Sequence, residues 1–141
     1  VATTIIHVDD NMHDLELASL AFAEIDPAIR YVPIDEADLL TELQAIAQDD
    51  AQPLPALIIA DMNMPQMSAV QVIGLLREHE RLRTVPVAIL TSVVPRFDAD
   101  ELGVPEQVPL LIKPGTYEEL VVLLRGLVER TVESPCGDSA A

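Results

Sequence analysis

Aromatic side chains are scarce in this chain: they make up 3% of it, although half of all residues are hydrophobic. A core short of rings must be built from Leu, Ile, Val and Ala. That suits helices packed on a buried parallel sheet, whose strands read as near-continuous aliphatic runs. Cysteine is scarcer still. Cys136 stands alone in a polar stretch, so an internal disulfide is excluded and a reducing compartment is permitted. Basic residues number 8 against 24 acidic ones, for a net charge of −16. Such a surface repels phosphate backbones, which argues against nucleic-acid binding, and it attracts cations or basic protein faces while aiding solubility. No run of about 18 apolar residues occurs, nor a basic segment leading into a long apolar one. The expectation is a soluble, cytoplasmic protein that does not cross a membrane. At 141 residues the chain fits one domain, expected over 1–133, with a disordered polar tail over 134–141.

What is present alternates. Thr3–Val8 is strand-like and stops at Asp9-Asp10-Asn11. Met12–Ile25 carries Leu15, Leu17, Ala18, Ala21, Phe22 and Ile25 near one helical face, and Pro27 ends it. Ile29–Ile34 is a second strand, which Pro33 restricts to a sheet edge or to its last residue. Glu36–Gln48 predicts a helix whose N-terminal acids complement its dipole. Ala56–Ala60 predicts a buried strand, and Ser68–His79 a helix. Pro86–Leu90 and Val108–Ile112 are further strands, with a weak helix over Pro95–Leu102 between them. Tyr117–Arg130 is the last helix. Five βα steps predict an α/β, doubly wound, five-stranded parallel sheet with helices on both faces. Right-handed crossovers then bring all strand C-termini to one edge, where ligands bind.

At that edge the sequence places Asp9 and Asp10 after strand one, Asp35 after strand two, and Asp61 after strand three. Thr91 and Ser92 follow strand four, and Lys113-Pro114 follows strand five. Any one of these residues alone reads as a helix cap, a turn residue or a surface lysine. Their joint placement points to a site. Three carboxylates within about 5 Å repel by roughly 3 kcal/mol per pair at an effective dielectric near 20. Such a group raises a pKa or holds a cation, and an all-oxygen set suits Mg²⁺. An Asp beside Mg²⁺, an ammonium and a hydroxyl is equipped to accept a phosphoryl group.

The segments Ile6-His7-Val8-Asp9-Asp10-Asn11, Ile58–Pro65, Val87–Ser92 and Ile112-Lys113-Pro114 resemble the receiver domain of bacterial response regulators, from about Thr3 to Val132. The spacings match too: 30 residues from Asp61 to Thr91 and 22 from Thr91 to Lys113. The resemblance implies a flavodoxin-like strand order 2-1-3-4-5. It implies Asp61 as phosphoryl acceptor, with Mg²⁺ held by Asp9, Asp10, Asp61 and the backbone carbonyl of Asn63. Thr91 and Lys113 would bond the phosphoryl group. The implied donor is a phosphohistidine on a sensor histidine kinase or phosphotransfer protein. The stretch Leu76–Thr91 also resembles single-domain regulators paired with phytochrome-type and hybrid kinases, and on that reading no output domain follows Val132.

The pair Ser68-Ala69 and the residue Leu110 depart from the family pattern. Ser68-Ala69 stands where Asp-Gly is usual. Leu110 replaces the aromatic partner of the Thr switch, which removes the usual means of reporting phosphorylation, and Tyr117 is a poor substitute. Val93 is apolar where a polar side chain could position hydrolytic water, which predicts a long-lived aspartyl phosphate. A degenerate receiver acting as a constitutive binding adaptor is the main alternative. A Mg²⁺-dependent phosphatase is another, but Asn63 stands where its general acid would be and no cap segment is available. The apolar run of the last helix, Leu120–Leu124 with Leu127 and Val128, predicts either a wide core-facing stripe or a homodimer surface shared by the fourth and fifth helices with the fifth strand. His7 alternates with apolar neighbours and reads as a packed histidine; His13 and His79 have no metal-ligand spacing.

Overall fold

The computed structural model describes residues 3–48, 54–62, 68–91 and 108–131. Five strands, β1 (Thr4–Val8), β2 (Arg30–Ile34), β3 (Leu57–Asp61), β4 (Val87–Thr91) and β5 (Leu110–Ile112), form one sheet in the order β2-β1-β3-β4-β5. Every pairing is parallel. Four α-helices are described: α1 (Met12–Ile25), α2 (Leu39–Gln48), α3 (Ala69–Glu78) and α4 (Tyr117–Thr131). The proposed helix over Pro95–Leu102 lies outside the described residues.

Alternate strand residues serve opposite faces, and here both faces are covered. Ile5, Leu57, Ile59, Ala88 and Leu90 pack against Ala18, Ala21 and Phe22 of α1 and Leu124, Leu127 and Val128 of α4. Ile6, Val8, Ile34 and Ile58 pack against Leu39 and Leu43 of α2 and Val72 and Leu76 of α3. Ala60 and Ile89 join Ala69, Ile73 and Val108 on the α3 side. That two-sided burial is why the central strands read as unbroken aliphatic segments.

The element ends have local causes. Asn11 caps α1, its side-chain oxygen accepting from the N–H groups of His13 and Asp14 at 2.9 and 3.4 Å. Ser68 and Gln71 form a capping box on α3, each side chain accepting from the other's backbone N–H. The Ser68-Ala69 departure therefore starts a capped helix, with Ala69 buried, where a glycine turn is usual. Pro33 lies inside β2, which pairs only with β1 and so needs no donor on its free side.

Several expected boundaries shift. Glu36–Asp38 is a 3₁₀ turn ahead of α2, because the Asp35 side chain makes no capping hydrogen bond. The fifth strand starts at Leu110 because Pro109 has no N–H for the ladder, although its carbonyl accepts from Ile89 at 2.9 Å. Strands β3 and β4 each begin and end one residue later than expected, so Asp61 and Thr91 are their last residues. Pro86 lacks a donor but its carbonyl accepts from Ile58 at 2.9 Å. In the apolar run of α4 only Val122 is exposed; Val121 and Leu124 are buried and Leu120 and Leu123 pack on the core. Among the described residues no helix is long and apolar enough to cross a membrane.

Candidate functional site

The parallel register assembles the site. Val8 lies opposite Ala60, and Asp61 opposite Leu90. Asp9 therefore leaves the end of β1 beside the end of β3, with Thr91 one residue further along β4. Lys113 is fixed next to them by its backbone N–H, which donates to the Thr91 carbonyl at 2.7 Å. Asp9, Asp61 and Thr91 are buried, a rare condition for such polar groups at a strand end. Asp10 is exposed at the rim.

Carboxylate oxygens of Asp9, Asp10 and Asp61 lie within 4.8 Å of one another. Octahedral Mg²⁺ with ligands at about 2.1 Å spaces trans oxygens at about 4.2 Å, so closing this set by a few tenths of an ångström would let it share one hard cation. Asp35 is exposed and is not one of the three. Asn63, Ser92 and Val93 lie outside the described residues.

Lys113 Nζ reaches three carboxylates: Asp14 Oδ2 at 2.7 Å, Asp61 Oδ1 at 3.0 Å and Asp9 Oδ2 at 3.2 Å. Burial by itself would lower its pKa. Hydrogen bonds to Asp14 and Asp61, with the charges of Asp9 and Asp61, outweigh that and hold the ammonium well above its ordinary range. Asp9 is pushed upward, first by burial and also by the charge of Asp61. The Asn11 N–H, donating to Asp9 Oδ1 at 3.0 Å, and the Lys113 ammonium offset only part of this. A bound cation would favour the ionised form of Asp9.

Behind Asp9 sits His7. Its Nδ1 is 2.8 Å from the Tyr31 hydroxyl, which donates to the Leu15 carbonyl at 3.2 Å. Nε2 is buried without a hydrogen-bond partner, 3.9 Å from Asp9 Oδ2. Burial, reinforced by the Lys113 charge and opposed by Asp14, lowers the imidazole to about 4. His7 is thus a neutral packed histidine, as its alternation with apolar residues implied. Burial and the Asp9 charge push Tyr31 upward, so it stays a neutral phenol.

Of the expected residues, the side chains of Asp9, Asp10, Asp61 and Lys113 come together, and Thr91 ends β4 beside them. Asp14 and Tyr31 were not foreseen. The available signal for Asp14 was its place in the first turn of a helix that starts at the same sheet edge. Leu110, at the usual aromatic position, is partly buried against the Ala60–Ile89 cluster.

No family model matches the chain. It is 25% identical over 129 residues to the probable methanogenesis regulatory protein FilR2 of Methanothrix harundinacea (strain 6Ac), covering 92% of this chain and 78% of that protein. It is 34% identical over 92 residues to the response regulator Rre1 of Synechocystis sp. (strain ATCC 27184 / PCC 6803 / Kazusa), covering 62% of this chain and 38% of that protein. This chain thus spans well under half of that second relative. The crystal structure of the phosphorylated cyanobacterial phytochrome response regulator RcpA matches with a TM-score of 0.77 at 21% identity, over 95% of this chain and 96% of that one. The chain has the receiver fold of response regulators, a five-stranded all-parallel flavodoxin-like sheet.

Proposed function

We propose that the chain is a phospho-accepting receiver of a two-component phosphorelay, with Asp61 as the phosphorylated residue. The observation that carries this reading is one cluster: three carboxylates with oxygens within 4.8 Å, and an ammonium 3.0 Å from Asp61 Oδ1. Asp9, Asp10 and Asp61 would hold Mg²⁺, with the Asn63 carbonyl as a further ligand. When bound, that ion neutralises charge on the phosphoryl oxygens.

The chain's own residues do the rest. A carboxylate oxygen of Asp61 attacks phosphorus in line with the leaving group. The P–N bond of a phosphohistidine donor breaks, and its electron pair leaves on the imidazole nitrogen, which is protonated from solvent. Lys113 transfers an N–H from the Asp61 carboxylate to a phosphoryl oxygen, and the Thr91 hydroxyl donates to another. Buried surroundings strengthen both contacts relative to water. The donor in this reading is a sensor histidine kinase or phosphotransfer protein. The acidic surface suits a basic docking face on it. Output passes through protein contacts, and with Leu110 in place it does not depend on a rotating aromatic ring.

Incubation with Mg²⁺ and acetyl phosphate, followed by intact mass measurement, tests the reading. A phosphoryl mass gain that needs Mg²⁺ and is lost in Asp61→Asn is expected. Turnover of unrelated phosphate esters would instead favour a phosphatase. Absence of both would favour a constitutive adaptor.

A further inference from the structure

An ammonium has three N–H donors and no acceptor. At Lys113 all three are committed, to Asp14, Asp61 and Asp9, and the shortest contact is to Asp14 at 2.7 Å. Asp9 and Asp61 belong to the group of acids able to share a cation; Asp14 does not. Asp14 projects from the first turn of α1, where the Asn11 cap fixes its backbone. Its contact with Lys113 joins α1 to the residue that follows β5, across 99 positions of sequence.

A phosphoryl oxygen that bonds Lys113 must take over one of these three donors. Phosphorylation of Asp61 turns its carboxylate into a mixed anhydride, which weakens that residue's own claim on the ammonium, and a cation beside Asp9 does the same there. Asp14 is neither modified nor part of the cation group, so its contact with the ammonium is not relieved in this way. It is also one of three carboxylates around a single ammonium, so it adds to the repulsion that a dianionic phosphodonor meets.

We propose that Asp14 is a positioning residue that holds the Lys113 ammonium on the α1 side of the pocket, competes with the incoming phosphoryl group for it, and so restrains phosphorylation of Asp61. This inference rests on the reading of Asp61 as the acceptor. A purely structural role for Asp14, as a first-turn acid on a helix dipole, makes a different prediction. It would change the melting temperature and leave the rate of phosphoryl uptake unchanged or lower.

The test compares Asp14→Asn, Asp14→Ala and Asp14→Glu with the unaltered chain. Uptake from acetyl phosphate is followed by intact mass at saturating Mg²⁺, and melting temperatures are measured in parallel. Asp14→Asn keeps an acceptor oxygen and loses the charge. It is expected to take up the phosphoryl group roughly tenfold faster, the size of one charged hydrogen bond. Asp14→Ala should be at least as fast as Asp14→Asn, and Asp14→Glu should return the rate toward that of the unaltered chain. An Asp14→Asn rate within twofold of the unaltered chain, or slower, overturns the inference, as does an Asp14→Glu rate equal to that of Asp14→Asn. Those outcomes leave Asp61 as the acceptor. Failure of the unaltered chain to take up any phosphoryl group defeats the acceptor reading itself, and this inference with it.

Discussion

Acidification should destabilise this protein through His7, and the amount follows from its surroundings. The Tyr31 hydroxyl donates to Leu15, so the nitrogen facing Tyr31 carries the imidazole proton, and Nε2 keeps a lone pair that is buried with no protein partner. Protonating Nε2 places a charge where burial penalises it. The folded-state value is therefore about 4 against an ordinary 6.5. As pH falls below 6.5 the unfolded chain takes the proton first, so the stability contributed by neutral His7 is complete above 6.5 and drains away toward pH 4. Between pH 7 and pH 5 the linkage integral gives a loss of about 2 kcal/mol. His7→Leu replaces the ring with an apolar side chain of similar bulk and cannot titrate. Urea unfolding of both proteins at the two pH values, with chelator present to remove cations, isolates the effect, because the other acidic groups are common to both. The unaltered protein should lose about 2 kcal/mol more than His7→Leu on going to pH 5, a midpoint difference of roughly 1 M urea. Equal pH dependence in the two proteins would refute this account of the His7 environment.

Lys113→Ala leaves buried Asp9 facing Asp61 with no counter-charge. It should cost about 3 kcal/mol of stability without metal at neutral pH, and added Mg²⁺ should recover part of that loss in a thermal melt. Ser68→Ala removes one half of the α3 capping box; a loss of about 1 kcal/mol is expected in urea unfolding, with phosphoryl uptake on Asp61 retained.

Much of this architecture was legible because the chain punctuates itself. Asn11 and Pro27 bracket α1, whose limits fall at the expected Met12 and Ile25. Aliphatic runs marked β1, β3 and β4, and of the two options Pro33 left for β2, a sheet edge or an end at Pro33, the edge is the one found. Prolines also caused the errors. Pro86 and Pro109 were counted as strand residues, yet neither can donate to a ladder, and the strands begin after them. The residues gathered at the site's edge could be named in advance because strand ends in a parallel sheet share one edge. Asp14 sits on a helix rather than at a strand end, and its reach to Lys113 depends on how α1 is rotated against the sheet, which its first-turn position alone does not fix. The same holds for the apolar run of α4. Its periodicity alone did not say how wide a face α1 and the sheet would cover, and only Val122 remains outside.

The central claim is that Asp61 carries the phosphoryl group, and the most direct measurement locates the modified residue. After incubation with Mg²⁺ and acetyl phosphate, borohydride reduction converts an aspartyl phosphate to homoserine, which peptide sequencing by mass spectrometry assigns to one position. The account predicts homoserine at position 61 and nowhere else, and none without Mg²⁺. Homoserine at position 9 or 10, or its absence under conditions where the cation is bound, would contradict it.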